Sequence, residues 1–314
     1  MYYIGIDVGG TNLKAGLVDE SGAILVTERT PLGAFTGPEA FAGTLADLAK
    51  AVLHTAGKEK EEIAYVGMGI PGAVAGGEIL YTCNIPMKDV PLSGLFRRHL
   101  DLPVLLENDA NCAAVGEWVC GAGRGTKDFA VITLGTGVGG GFVLNGKLYS
   151  GGGMVGEVGH MVVEKGGVKC NCGRRGCWET YASATGLIRM TKETMDDHPE
   201  SLLHKIAAEN GGVEGRTAFQ AAEAGDETAK AVCRTYVEYL AAGVTNLVNI
   251  LQPEVLAVGG GVAAASDELL MNPLREIVNG ECYPRHAGKL PRIVRAELGN
   301  DAGIIGAALL GRAI

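Results

Sequence analysis

At 314 residues the chain is long enough for two domains of ordinary size, each with its own core, so size alone calls for no covalent or metal staple. Charged residues are 20% and apolar residues 47%, a globular balance that excludes a disordered chain, although 49 glycines against 6 Phe and 2 Trp is an unusual mixture. A formal charge of -9, with no basic run beyond Arg97-Arg98 or Arg174-Arg175, excludes a nucleic-acid footprint. With no leader-like start in MYYIGIDVGG and no apolar stretch approaching about 18 residues, a membrane is not an expected partner either, and the expected location is the cytoplasm.

Residues 2 to 29, YYIGIDVGGTNLKAGLVDESGAILVTER, alternate around Gly9-Gly10 and around Glu20-Ser21-Gly22, which predicts a meander of three strands. Pro38 suits a first helical turn, and Phe41, Leu45, Leu48, Val52 and Leu53 keep helical spacing to about Ala56. AYVGMGI (64 to 70) and PVLLE (103 to 107) read as buried strands, and NDANCAAVGEWV opens a helix with an Asn-Asp pair where an N-cap belongs. The stretch FAVITLGTGVGGGFVLNGKLYSG (129 to 151) is again strand, glycine turn, strand, Asn-Gly turn, strand, so an internal duplication is expected. Val232, Tyr236, Leu240, Val244, Leu247 and Leu251 set out a long amphipathic helix over 226 to 251 that Pro253 ends. A buried strand in EVLAVGGG, a helix, and a short small-residue helix in NDAGIIGAALLGRAI follow; with no low-complexity linker, two domains meeting at a packed cleft are expected.

The turns in IDVGGTN and TLGTGVGGG each follow a buried strand, where backbone N–H groups can converge on one anion, and two such turns can grip a polyphosphate from both sides. Gly135-x-Gly137-x-x-Gly140 also fits a dinucleotide fingerprint, but that motif opens a helix, whereas GFVLNGKLY reads as a hairpin. For either turn alone, a tight hairpin with positive φ is the plain alternative. Asp7 ends the first strand, where a carboxylate can hold Mg2+ beside nucleotide phosphates, and Thr11 and Thr136 supply hydroxyls at matching places. Asp109 stands at a strand-to-helix junction; the helix N-terminus favours the ionised form that accepts a substrate hydroxyl proton, and a simple N-cap is the competing reading.

His160, Cys170, Cys172 and Cys177 supply the one imidazole and three thiolates of a closed tetrahedral zinc site, structural because no position is left for water. A reduced thiol cluster or redox chemistry are the alternatives, the latter without a C-x-x-C. Cys83, Cys112, Cys120, Cys233 and Cys282 are expected as packing residues or free thiols. Glu157 and Glu179 bracket the knuckle; either alone reads as an exposed carboxylate, but pinned by a metal they suit the vicinal hydroxyls of a polyol. The knuckle is therefore expected to support the sugar side only.

DVGGTNLKAGLVD, ENDANCAAVGE, LGTGVGGGFVLNGKLYSGGGMVGEVGH and CNCGRRGCWETYAS together resemble the ROK family of bacterial sugar kinases and repressors, most closely its glucokinases, from residue 4 to about residue 312. The resemblance implies an actin-like, ribonuclease-H-like fold of two α/β domains around a cleft, with a structural zinc knuckle at 160–177. The expected domains are a small one from 1–110 plus about 300–314 and a large one from 111–299. It implies Asp109 as the base and Asn108, Glu157, His160 and Glu179 as sugar ligands, with His160 serving zinc and sugar through different ring nitrogens. Gly72 and Asn84 match weaker sugar positions, and Cys83 stands where relatives commonly carry Pro. Phosphate contacts fall on Gly9, Gly10, Thr11, Asn12, Thr136 and Gly137, and the nucleoside side on Gly259, Gly260 and Gly261. The implied activity is ATP- and Mg2+-dependent phosphorylation of D-glucose at O6 by a homo-oligomer, dimer or tetramer. The alternatives are a related kinase for N-acetylmannosamine, mannose or fructose, and a sugar-responsive repressor, disfavoured because only Met1 precedes the first strand.

Overall fold

The computed structural model describes residues 1–82 and 85–314, so the Asn84 and Cys83 expectations lie outside the described residues. β1 (Tyr2–Val8), β2 (Asn12–Asp19) and β3 (Ile24–Pro31) form the expected antiparallel meander. Helix α1 (Pro38–Ala56) starts at the expected proline and ends on Gly57 at φ 61, with Phe41, Leu45, Leu48, Val52 and Leu53 all buried. β4 (Ile63–Ile70) and β8 (Val104–Asn108) add in parallel, giving a sheet of order β3-β2-β1-β4-β8. Between those strands, β5 (Ala73–Ala75), β6 (Glu78–Thr82) and β7 (Met87–Val90) form a small antiparallel sheet, followed by α2 (Leu92–His99). Helix α3 (Asp109–Cys120) follows β8 directly.

β9 (Phe129–Leu134), β10 (Val138–Leu144) and β11 (Lys147–Leu148) repeat the meander, with Asn145 at φ 55 and Gly146 at φ 75 making the left-handed two-residue turn that an Asn-Gly pair favours. A cluster of helices follows: α4 (Glu179–Ala182), α5 (Ala184–Asp197), α6 (Leu202–Glu209), α7 (Thr217–Glu223) and α8 (Glu227–Leu251). In α8 the Asp226 carboxylate caps the Ala229 N–H at 2.7 Å, and Val232, Tyr236, Leu240, Val244 and Leu247 are buried. β12 (Val255–Gly259), α9 (Asn272–Glu281) and β13 (Arg292–Arg295) complete a second sheet of order β11-β10-β9-β12-β13, with β12 and β13 parallel. The order of the first sheet is thus repeated, as the duplicated pattern predicted and as an actin-like fold requires.

The chain divides into two compact units, one of Met1–Ala130, Gly141–Gly156 and Ala296–Ile314, the other of Val131–Gly140 and Glu157–Arg295. In this division α3 stays with the first unit. The last helix, α10 (Ala302–Ala308), explains why: a Cβ on Gly306 would stand 1.6 Å from the Cys112 carbonyl oxygen, and one on Gly116 would stand 2.5 Å from that of Ala302. Two helices this close pack as one body. Among the described residues no helix is long and apolar enough to cross a membrane.

Candidate functional site

The first unit presents the β8–α3 junction. Asn108, not Asp109, is the N-cap of α3: its Oδ1 accepts from the N–H groups of Ala110 at 2.9 Å and Asn111 at 3.2 Å. Its Nδ2 donates to the Gly72 carbonyl at 3.1 Å, which ties together two residues expected near the sugar. Asp109 is the first residue of the helix, half-buried, with Oδ1 accepting from the Ala110 N–H at 2.9 Å. Asp109 thus stands on the first turn of the helix, where N–H dipoles favour negative charge.

Directly behind the junction lies Glu107, a buried carboxylate that opens the ENDANCAAVGE motif but was given no role from the sequence. Glu107 Oε1 accepts from the Asn108 N–H at 2.9 Å and the Asn111 side chain at 3.0 Å, and its Oε2 accepts from Ser150 Oγ at 2.7 Å. It braces both sides of the candidate base. Glu117, also buried, accepts from the N–H groups of Ala122, Glu297 and Leu298 and so pins the chain ahead of α10 to α3. Each also has a partner remote in sequence, Ser150 for Glu107 at 43 positions and Leu298 for Glu117 at 181, which the motif alone does not reveal.

Asp7, Gly9, Gly10, Thr11 and Asn12 also lie in this unit. The Gly9 N–H is turned inward to the Asn12 carbonyl at 3.0 Å, while Gly10, Thr11 and Asn12 are exposed. Burial pushes the Asp7 carboxyl above its usual range, against a lowering pull from Lys14, its cross-strand partner. A half-buried carboxylate with a single cation opposite it suits a bound divalent ion.

The second unit holds the metal set. His160, Cys170, Cys172 and Cys177 bring their four ligand atoms within 4.8 Å of one another, with His160 Nδ1 3.7 Å from Cys170 Sγ and the Cys172 and Cys177 sulfurs 3.6 Å apart. These are the separations of ligands sharing one tetrahedral ion with bonds of about 2.0 to 2.3 Å. Burial and the neighbouring sulfurs push the Cys177 thiol up to about 12, a cost that a cation removes by taking thiolates as ligands. The residues fit zinc. His160 Nε2 faces the opposite way, 3.8 Å from the Glu157 carboxylate, so the ring has one nitrogen for a metal and one for a neighbour outside the knuckle.

Glu179 follows the knuckle at the start of α4. Its Oε2 accepts from the Val138 N–H at 3.1 Å, inside the second glycine turn. The Gly135 carbonyl accepts from the Ala184 N–H and the Thr136 carbonyl from Thr185 Oγ1, both at 2.8 Å. The segment after the knuckle thus fastens the second glycine turn, a support that the expectation of a sugar-side role only did not include. Next to this turn a cavity of about 600 Å3 is lined by Thr136 and Gly261 together with Glu214, Arg216, Phe219 and Gln220. Gly260 sits at φ 88 with its α-carbon against Leu134, which lets the 259–261 turn approach β9. The wall from Glu214 to Gln220 carries no motif that would mark it in the sequence. Of the remaining cysteines, Cys112, Cys233 and Cys282 are buried thiols and Cys120 is half-buried, as expected.

Comparison with known proteins bears on this geometry. The chain is 40% identical to a glucokinase of Halalkalibacterium halodurans, over 98% of this chain and 94% of the relative, and 38% identical to one of Thermotoga maritima, over 97% and 95%. A crystal structure of a ROK glucokinase from Streptomyces griseus in complex with glucose and AMPPNP superposes with a TM-score of 0.81 at 34% identity, covering 99% of both chains. A xylose repressor of Bacillus subtilis is less similar, 28% identical, and this chain covers 75% of its length. The ROK family signature spans residues 3–314, and the chain belongs to the ROK family.

Proposed function

We propose that the protein is an ATP-dependent sugar kinase that phosphorylates D-glucose at O6. The observation that carries this reading is the near-full-length likeness to glucokinases, one of them a structure with glucose and AMPPNP, in a chain that keeps a helix-terminal carboxylate at Asp109. Asp109 accepts the proton of the sugar hydroxyl as its oxygen attacks the γ-phosphorus in line and ADP leaves. Asn108, Gly72, Glu157, His160 and Glu179 are assigned as sugar ligands, with Asn84 assigned by resemblance. Glu107 braces the backbone of Asn108 and the side chain of Asn111 on either side of Asp109.

Gly10, Thr11 and Asn12, with Thr136 and Gly137, bind phosphate through turn N–H groups and hydroxyls, and Gly9, its own N–H donated to the Asn12 carbonyl, shapes the first turn. The nucleoside enters the cavity beside Gly259, Gly260 and Gly261. Asp7 would hold Mg2+, which neutralises phosphate charge, and His160 with the three knuckle cysteines would hold a structural zinc. We place the enzyme in the cytoplasm as a homo-oligomer. A coupled assay of purified protein with ATP and glucose, mannose, fructose or N-acetylmannosamine tests the reading: glucose should give the highest kcat/KM. No turnover of glucose, or faster turnover of another sugar, sinks it.

A further inference from the structure

We propose that Glu179 is a positioning residue for the second glycine turn, so that sugar and nucleotide occupancy are coupled within the second unit through this one carboxylate. This deepens the proposed function and rests on its assignment of Glu179 as a sugar ligand. Three features converge on the residue. The Oε2 atom is committed to the Val138 N–H at 3.1 Å, which leaves Oε1 for a hydroxyl donor. The carboxylate lies against Gly137, where a Cβ would stand 2.2 Å from Oε2, so only glycine leaves it room. Just before it, Trp178 is fully buried and donates its indole N–H to the Tyr239 carbonyl at 2.8 Å, so the base of the Glu179 side chain is fixed while its tip reaches both ligands' territory.

The physical consequence is a shared ordering cost. A sugar hydroxyl donated to Oε1 removes rotational freedom from Glu179, and with it freedom from the tethered Val138 N–H. The neighbouring N–H groups of Thr136 and Gly137 then meet a phosphate already in order. The second ligand therefore pays less for ordering than the first, and by linkage the effect is the same in either direction.

The test is titration calorimetry of the intact, zinc-loaded chain with AMPPNP, without glucose and with saturating glucose. In the wild type glucose should tighten AMPPNP about tenfold. In Glu179→Gln that factor should fall to near one even at saturating glucose, with glucose itself bound more weakly. Glu157→Gln, a sugar-side change that leaves the turn untouched, should weaken glucose yet keep the factor once saturated. Gly137→Ala, on the phosphate side, should raise the KM for glucose as well as for ATP, because the new methyl displaces the carboxylate. A Glu179→Gln variant that binds glucose weakly but keeps the tenfold factor overturns the coupling and leaves the sugar site standing. One that binds glucose as the wild type does removes the sugar-ligand reading and the coupling with it. Should that variant not fold, amide exchange of the wild type decides: glucose alone should slow exchange at Val138, and unchanged exchange overturns the proposal.

Discussion

At the scale of single residues, two aspartates stand in different settings, one on a helix N-terminus and one buried at a strand end, and each predicts its own phenotype. Asp109 sits on the N–H dipoles of α3, so Asp109→Asn keeps the shape of the junction and removes only the proton acceptor. The variant should bind glucose with near-normal affinity while kcat falls by about 100-fold to 10,000-fold. More than about a tenth of the wild-type kcat would remove Asp109 from the role of base. Burial raises the Asp7 carboxyl above the usual 3.8. A raised carboxyl favours the fold while protonated, at pH below 3.8, and loses that contribution as pH rises through the folded-state value. At neutral pH the ionised Asp7 therefore opposes folding, and Asp7→Asn should stabilise the metal-free protein there while activity with Mg2+ and ATP drops at least about tenfold. Urea titrations at neutral and acidic pH check the sign. An Asp7→Asn variant less stable than wild type at neutral pH would contradict it.

At the scale of elements, the knuckle from His160 to Cys177 is held by its metal set and by Trp178, which seats the exit of the loop against α8 at Gly243. Purified protein should carry about one zinc per chain. Cys172→Ser should lose the zinc, cost about 3 kcal/mol or more in unfolding free energy, and raise the KM for both sugar and ATP. The joint rise follows because Glu179, Ala184 and Thr185 hold the second glycine turn. Active enzyme without zinc, by metal analysis, would refute the site. The knuckle, the two meanders, α1 and α8 were legible because their signals are local: ligand spacing, a period of two around Gly turns, or an apolar stripe between caps. The sheet of β5 to β7 was not, since its strands are only three to five residues long and their buried positions do not alternate regularly. Nor was β13, which joins β12 in parallel only after a helix and irregular turns have intervened. Within the site the candidate ligands were legible by type and motif; Glu107 lay in a motif but its bracing role needed its burial and the remote Ser150, and the cavity wall from Glu214 to Gln220 carried no motif at all.

At the scale of the whole molecule, neither compact unit is a continuous stretch of chain, since the backbone passes from one to the other after residues 130, 140, 156 and 295. The final 19 residues, Ala296–Ile314, therefore complete a unit that began at Met1. Their contribution is large. Ile304, Ile305, Leu309 and Leu310 are nearly or fully buried, and at about 1.5 to 3 kcal/mol for each such side chain they contribute roughly 6 to 12 kcal/mol, comparable to the entire stability of a typical domain. The backbone contact is equally close: a Cβ on Gly5 would stand 2.0 Å from the Ile304 carbonyl oxygen, and one on Gly67 would stand 1.7 Å from that of Ala307. A chain ending at Arg295 should consequently lose the packing of β1, β4 and α3, and with it the Asn108–Asp109 junction and all kinase activity. The unit of Val131–Gly140 and Glu157–Arg295 keeps every one of its residues, its zinc ligands included, so the truncated chain should still bind about one zinc. Circular dichroism, metal analysis and the glucose assay on that truncation check all three. Retained activity would show that the terminal helix is dispensable and that the first unit is closed by other contacts.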